Sequence, residues 1–224
     1  SLAFVQVVVS NLISKVKHNK VSIEKLAASF GITDKTEVKE LTELAIVTRA
    51  RAIAQSGNDV NSNYFDIVDL YNHQVNLSHR TSQSILLQQY STPAPIGYLM
   101  GVYCGLPELH INGGYAYEPS AGNGLLTIAA KPERVYVNEI DTTRNRNLQT
   151  QGFANVFKRD ATQSFSFLDL GGSFQAILTN PPFGVLDAPV MYDKFPIKTL
   201  DHLMALRALD AMAFDGKAAI IIGG

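Results

Sequence analysis

The chain has 224 residues, which is enough for one α/β domain and a smaller helical part. Its hydrophobic fraction of 46% and charged fraction of 17% are ordinary for a globular protein with a sizeable core. A net charge of −1 argues against autonomous, tight nucleic-acid binding, because proteins that bind in this way usually carry a basic surface. A catalytic core whose nucleic-acid contacts lie in another segment remains compatible with this charge.

Several classes of protein are disfavoured by the composition. A single cysteine, Cys104, excludes an intrachain disulfide and a cysteine-based zinc site. The histidines are scattered without metal-ligand spacing, so we expect no metal. No apolar run is long enough to cross a bilayer, so we expect no membrane partner. A single cysteine fits a reducing compartment, so we expect a cytoplasmic protein. The chain starts without methionine and stops after an apolar run at 218–222, so we expect further domains beyond residue 224.

The first part of the chain has the periodicity of helices. Apolar residues at helical spacing and turn signals predict helices over residues 2–16, 22–30, 34–54, 64–74 and 82–89. Ser22 is placed to cap the second helix. Asp34 and Glu37 have capping-box spacing at the start of the third. We therefore assign residues 1–88 to an all-helical segment.

The second part alternates between short β-rich runs and helical stretches. Strands are predicted over 115–118, 134–138, 155–158, 176–179 and 218–222, and helices over 125–130, 142–151 and 200–213. This alternation predicts an α/β fold with a doubly wound, mostly parallel sheet and helices on both faces. Ligands of such sheets bind at the carboxyl ends of the strands. The segment 184–199 is predicted to be a long loop.

A glycine-containing loop follows the first predicted strand. It reads Glu118-Pro119-Ser120-Ala121-Gly122-Asn123-Gly124. Two glycines separated by one residue allow a tight turn and a close approach of a ligand to the backbone. A dinucleotide fingerprint would have a third glycine where Thr127 stands, which weakens a nicotinamide interpretation. The sequence therefore predicts a nucleoside site of another kind.

Acidic residues follow the next two strands. Glu139 can accept hydrogen bonds from two ribose hydroxyls. Asp160, after the third strand, can accept one from an adenine amino group. Asp141 is placed to cap the following helix. Each acid alone fits a strand-end or cap role, but the glycine loop and both acids on consecutive strands favour nucleoside binding.

The fourth strand ends in Asn180-Pro181-Pro182-Phe183. Proline holds its predecessor extended and donates no backbone hydrogen bond, so the segment is stiff and presents carbonyl oxygens and one amide side chain. An exocyclic amine such as adenine N6 is a poor nucleophile because its lone pair is delocalised. Two acceptors, the Asn180 side-chain oxygen and a main-chain carbonyl, can hold its hydrogens and aim the lone pair at a methyl donor. Phe183 can stack on a flipped base.

These motifs, in this order, resemble the amino-methylating class of S-adenosylmethionine-dependent DNA methyltransferases, specifically the adenine-N6 enzymes. The resemblance implies a Rossmann-like methyltransferase core over residues 89–224, truncated after the fifth strand. It implies S-adenosyl-L-methionine as cofactor and duplex DNA with a flipped adenine as substrate. The cofactor-binding residues it implies are Thr92, Glu118, Pro119, Ser120, Ala121, Gly122, Gly124, Glu139, Asp160 and Asn180. The catalytic residues it implies are Asn180, Pro181, Pro182 and Phe183.

Other interpretations of the same motifs stay open. Enzymes that methylate guanine N2 in RNA or a glutamine amide in proteins also carry Asn-Pro-Pro-aromatic. Thr92-Pro93 ahead of the cofactor loop favours the DNA class, although Thr92 could instead cap the helix that Pro93 starts. The family's closing hairpin and target-recognition domain are not found in this sequence, so we expect the piece alone to lack activity. A non-catalytic module of a larger protein is the remaining alternative.

Overall fold

The computed structural model describes residues 1–76, 91–164 and 173–223. The helices in these ranges are α1 (Leu2–Ile13), α2 (Lys20–Ser29), α3 (Lys35–Ala54), α4 (Val60–His73), α5 (Ala94–Tyr103), α6 (Leu109–Asn112), α7 (Thr142–Gln149) and α8 (Leu200–Leu209). The helix predicted over 82–89 lies outside the described residues. Asp34 caps α3 by accepting a hydrogen bond from the Glu37 amide, as its position predicts.

A parallel sheet forms the centre of the second part. Its strands are β1 (Ala116–Glu118), β2 (Val135–Asn138), β3 (Asn155–Phe157), β4 (Phe174–Thr179) and β7 (Met212–Ile220). Their order across the sheet is β3-β2-β1-β4-β7, and each neighbouring pair is parallel. The predicted α/β class with a doubly wound parallel sheet is confirmed. The chain reverses its direction of travel across the sheet between β1 and β4, which is where such sheets bind ligands.

The sheet is covered by helices on both faces. Successive strand residues point to opposite faces, so Ala116 packs in the cluster with α3, α4 and α5 while Tyr117 packs toward α8. In β4, Ala176 and Leu178 join the first cluster and Ile177 joins the second. These strands are buried on both sides, which explains their nearly continuous apolar sequence.

A helical leader, defined here as α1 to α4, has its own core and also packs on the sheet. Phe4, Val8 and Leu41 belong to a cluster formed by α1, α2 and α3. Val47 and Ala50, further along α3, belong to the main cluster with the sheet residues. Thus α3 is buried on two sides and lies between the two cores.

Several predicted boundaries differ from the observed ones. The segment predicted as a long loop contains an antiparallel hairpin, β5 (Val185–Tyr192) and β6 (Phe195–Thr199). The helix predicted over 125–130 is a single 3-10 turn at Leu125–Thr127, whose first residue follows Gly124 in the left-handed region. The helix α8 ends four residues earlier than predicted, and β7 begins six residues earlier than predicted.

The helix caps show two further differences. Asn19 caps α2, and Ser22 is its capping-box partner rather than the cap. Thr92 does not cap α5, which has Pro93 at its N-cap position. The hydroxyl of Thr92 is instead engaged across the fold, as described below.

A matched pair of leucine substitutions tests the assignment of the main core. Leu178 in β4 is fully buried, whereas Leu99 in α5 is 44% exposed. Leu178→Ala should lower the free energy of unfolding by about 2–5 kcal/mol, because it removes buried methyl groups and leaves a cavity. Leu99→Ala should change it by less than about 0.5 kcal/mol. Denaturant unfolding measures both, and equal losses in the two variants would contradict this packing.

Candidate active site

A pocket of about 280 Å³ opens at the carboxyl ends of β1, β2, β3 and β4. This volume is near the lower end of the range for small-molecule sites, ~300–1,000 Å³. The sequence-predicted residues that line it are Thr92, Glu118, Pro119, Ser120, Ala121, Gly122, Glu139, Asp160, Asn180, Pro181 and Pro182. Gly124 and Phe183 lie outside the lining. The structure therefore brings most of the predicted site residues to one cavity.

The loop after β1 depends on its two glycines. Gly122 and Gly124 have φ values of +57° and +96°, in the left-handed region that side chains rarely adopt. Gly124 is also buried, and a Cβ there would approach Phe153 to 3.2 Å. The Gly124 position is therefore a requirement of the turn and of packing, whereas Gly122 is exposed to the pocket.

Glu139 fastens this loop to the end of β2. Its Oε2 accepts a hydrogen bond from the Gly122 amide and its Oε1 one from the Asp141 amide, both at 2.8 Å. Burial raises the pKa of the Glu139 carboxyl. A carboxylate has about four lone-pair sites. Glu139 can thus hold the loop and still accept hydrogen bonds from a ligand in the pocket.

Asn138, which sequence reasoning missed, joins three segments beneath the pocket. Its Nδ2 donates to the Pro119 and Arg159 carbonyls, both at 2.9 Å. Its Oδ1 accepts from the Arg159 amide at 2.8 Å. The loops after β1 and β3 are therefore fixed relative to each other by one buried amide side chain.

Asp160 lies at the exposed rim of the pocket. Partial burial raises its pKa, but hydrogen bonds from Thr162 outweigh this effect and the net pKa is lowered. Its Oδ1 accepts from the Thr162 amide at 2.9 Å and from the Thr162 hydroxyl at 2.7 Å. The side chain is therefore held as an ionised acceptor beside the pocket.

Glu118 is the most deeply buried acid of the site, at 1% exposure. Its Oε1 accepts from the Ser120 amide at 3.0 Å. Its Oε2 has no hydrogen-bond partner among the described residues. Burial raises the pKa of Glu118 to about 8. A buried acceptor without a partner, at the wall of a pocket, is suited to a donor or a cation supplied by a ligand.

Asn180 is held from two sides. Its Nδ2 donates to the Thr92 hydroxyl at 2.9 Å. Its main-chain carbonyl accepts from the Ser120 hydroxyl at 3.4 Å, and this hydroxyl also lies 3.0 Å from Thr179 Oγ1. The segment ahead of α5, the loop after β1 and the end of β4 thus meet at one asparagine.

The rest of the tetrapeptide surrounds this asparagine. Pro181 is buried, and Pro182 and Phe183 are half-buried. The Phe183 ring lies against Gly223, whose Cβ position would be 3.4 Å from Phe183 Cδ1. This ring is outside the pocket wall, so a role in stacking on a base stays a prediction.

The helical leader also contributes to the site, which the sequence did not predict. Glu40 of α3 accepts hydrogen bonds on Oε2 from Arg144 Nε at 2.8 Å and Asn123 Nδ2 at 2.7 Å. Burial raises the pKa of Glu40, as does the neighbouring Glu43, whereas Arg144 opposes the shift. Glu43 and Arg144 line the pocket. The sequence gives no clear signal for this role, because α3 is rich in charged residues and two acids three residues apart are ordinary on a solvated helix face.

Within residues 1–76, 91–164 and 173–223, no group of three or more His, Cys, Asp or Glu side chains is placed to hold a metal ion. Over the same ranges, no helix is long and apolar enough to cross a membrane.

Comparisons with known proteins address the fold. No protein-family model and no curated protein matches the sequence. A candidate class I S-adenosylmethionine-dependent methyltransferase from Listeria monocytogenes has a TM-score of 0.52 and 10% identity, with 98% of this chain and 73% of that chain covered. This chain therefore has the α/β, Rossmann-like fold of that methyltransferase.

Two other solved structures are more distant. A candidate RNA methyltransferase from Pyrococcus horikoshii has a TM-score of 0.44 and 19% identity, covering 66% of this chain and 67% of that chain. The methyltransferase subunit of a type I restriction-modification system from Streptococcus thermophilus has a TM-score of 0.38 and 13% identity, covering 96% of this chain and 68% of that chain.

The buried Glu118 predicts an unusual dependence of stability on pH. Its folded pKa of about 8 lies above the unfolded value of 4.5, so the folded state binds more protons between these values. Stability from this group should therefore fall as pH rises through this window, by at most about 1.4 kcal/mol per pH unit. Glu118→Gln should remove that slope. Denaturant unfolding of both proteins from pH 5 to pH 8 measures it, and parallel curves would contradict the assignment.

Proposed function

We propose that this chain is the catalytic core of an S-adenosylmethionine-dependent methyltransferase that methylates the N6 amino group of adenine in DNA. The observation that carries the proposal is the position of Asn180. It lies at the end of β4, is hydrogen-bonded to Thr92, and lines the same pocket as Glu118 and Glu139. A candidate amine-binding group and a candidate nucleoside-binding group thus share one cavity in a methyltransferase fold.

The pocket residues fit S-adenosyl-L-methionine. Glu139 would accept the ribose hydroxyls, and Asp160 would accept a hydrogen bond from the adenine amino group. The glycine loop, whose Gly122 lines the pocket, leaves room for the ligand at the backbone. The unpartnered Oε2 of the buried Glu118 suits a ligand with positive charge. The cofactor carries such charge on its sulfonium and ammonium groups.

The protein's part in the reaction is to position the amino nitrogen of the substrate. When bound, the cofactor supplies an electrophilic methyl group on a sulfonium. The Asn180 side-chain oxygen and a main-chain carbonyl of the same segment would accept the two N6 hydrogens of the flipped adenine. The nitrogen can then become pyramidal and direct its lone pair at the methyl carbon. Pro181 and Pro182 keep these acceptors preorganised, so that little reorganisation is needed during reaction.

Thr92 has a defined part in this arrangement. By accepting the Nδ2 hydrogen bond, its hydroxyl orients the Asn180 amide, so that Oδ1 rather than Nδ2 serves as the acceptor for the substrate. The Thr92-Pro93 pair ahead of the cofactor loop is the feature that favours the DNA class over enzymes acting on RNA or protein amides. Phe183 would stack on the flipped base.

The substrate class is tested with the full-length gene product and methyl-labelled cofactor. We expect label in DNA, with N6-methyladenine detected by mass spectrometry of the digested nucleosides. Equimolar RNA and protein should remain unlabelled. Transfer only to RNA or protein would retain the amine chemistry but reject DNA as the substrate.

Asn180→Ala should abolish methylation and spare cofactor binding. Loss of one preorganised acceptor is expected to lower the rate by at least about 10²-fold. Calorimetry should give an unchanged affinity for the cofactor, since its other contacts remain. Asn61→Ala, at an exposed position on α4, is the matched control and should behave as wild type. A variant at position 180 that still turns over would show that another group accepts the amine.

Thr92→Val should reduce the rate of transfer through the orientation of Asn180. The valine keeps the shape but loses the acceptor, and one hydrogen bond of ~1–1.5 kcal/mol corresponds to about a 10-fold lower kcat. Thr92→Ser, which retains the hydroxyl, should restore most of it. A loss of cofactor affinity with kcat unchanged would instead assign Thr92 to the cofactor alone.

A further inference from the structure

Glu43 of α3 reaches the pocket from the helical leader. The residue is 7% exposed, yet it lines the cavity. Its Oε1 accepts a hydrogen bond from the Ser91 hydroxyl at 2.7 Å. Its Oε2 has no hydrogen-bond partner in the part of the chain that the structure describes. The carboxylate is thus oriented through one oxygen while the other stays unsatisfied.

An unsatisfied carboxylate oxygen at this depth is costly. Buried polar groups are almost always hydrogen-bonded, and buried charges are paired. Exceptions of this kind are explained when a ligand supplies the missing donor. The pocket that Glu43 lines is the place where such a donor could enter.

The basic side chains of the pocket wall do not donate to Glu43 Oε2. Arg144 Nε donates to Glu40 at 2.8 Å, and its charge also attracts Glu43 without a hydrogen bond to Oε2. Arg159 lies over the Phe157 ring at the end of β3. Two carboxylates of α3 therefore face one guanidinium, which leaves an excess of negative charge beside the pocket.

The location of Glu43 in the pocket indicates which part of the ligand it would contact. Its partner Ser91 directly precedes Thr92, which is hydrogen-bonded to Asn180. Glu43 therefore lies toward the end where methyl transfer is proposed, while Glu139 and Asp160 lie toward the proposed nucleoside end. The methionine end of the cofactor carries two cations. The ammonium has N–H donors for a carboxylate oxygen, whereas the sulfonium has none.

We infer that Glu43 binds the α-ammonium group of the cofactor's methionine end, so that the helical leader supplies part of the cofactor site. The inference rests on the proposed function, because it needs that cofactor in the pocket. Ser91 acts as a positioning residue that holds Glu43 by its other oxygen. The cofactor site is then built from both sides, with the nucleoside held by the sheet loops and the amino acid end held by α3.

Two ligands that differ only at the amino acid end test the inference. S-adenosylhomocysteine retains the ammonium, whereas 5′-methylthioadenosine lacks the whole amino acid part. Calorimetry gives the Kd of each for wild type, Glu43→Gln and the control Glu37→Gln, which makes the same change on α3 outside the pocket. Glu43→Gln should weaken S-adenosylhomocysteine by about 10-fold or more, as for loss of a charge-assisted hydrogen bond, and leave 5′-methylthioadenosine unchanged. Glu37→Gln should alter neither Kd.

Thermal unfolding without ligand separates binding from structure. The Glu43→Gln protein should unfold at nearly the same temperature as wild type, because glutamine keeps the Oε1 acceptor for Ser91 and the lost attraction to Arg144 is offset by the lost repulsion from Glu40. Lower stability together with equal weakening of both ligands would show a structural role and overturn the inference. An unchanged affinity for S-adenosylhomocysteine would also overturn it. If wild type binds neither ligand, the proposed function fails as well, whereas binding of both with no effect at position 43 removes only Glu43 from the site.

Discussion

The buried contact between Glu40 and Arg144 holds together the parts that form the pocket. Glu40 Oε2 accepts hydrogen bonds from Arg144 Nε on α7 and from Asn123 Nδ2 in the loop after β1. Asn123 Oδ1 in turn accepts a hydrogen bond from Asn147 Nδ2, and the Asn123 main-chain carbonyl accepts one from Gln151 Nε2. One carboxylate therefore fixes the distance between the helical leader, α7 and the glycine loop. Removal of Arg144 would leave two buried carboxylates of α3 without their neighbouring cation, which is much more costly than loss of an exposed pair.

The geometry of the pocket follows from this anchoring and from the strand ends. The loop between Glu118 and Gly124 is held at its base by Glu139 and Asn138, and at its far side by the Asn123 contact. Its backbone is thereby fixed before any ligand enters. A loop fixed in this way loses little conformational entropy on binding, which favours affinity. The same loop reaches Asn180 through the Ser120 hydroxyl, so the loop after β1 and the end of β4 support each other.

The sequence predicted the features that depend on local pattern. The strands follow from short apolar runs, the glycine turn from two glycines separated by one residue, and the acids from their positions just after β2 and β3. The prediction of a loop over 184–199 was wrong, because these residues form the hairpin β5–β6. Pro189 and Pro196 disfavour regular strands, but they are tolerated in this exposed two-stranded ribbon. The boundary assigned at residue 88 falls in the range 77–90, which the structure does not describe, and it stays a prediction.

Long-range contacts could not be predicted in this way. Glu40 and Arg144 are 104 residues apart, and no periodicity relates them. In the pattern of α3, Val38, Leu41 and Ala45 mark the apolar face, which would leave Glu40 and Glu43 facing solvent. The structure covers that second face with the loop after β1 and with α7, so both acids are buried.

The two acids of α3 differ in a way that links fold to function. Glu40 has both of its donors from the protein, so its burial is compensated within the fold. Glu43 has one donor, and its second oxygen is left at the pocket wall. Replacement of Glu40 would therefore disturb the packing of α3 against α7 and the loop after β1, whereas replacement of Glu43 would mainly change the pocket wall. Because α3 both anchors α7 and lines the pocket, it is part of the site itself. A segment lacking α3 would leave Arg144 without its Glu40 partner and the pocket without one of its walls.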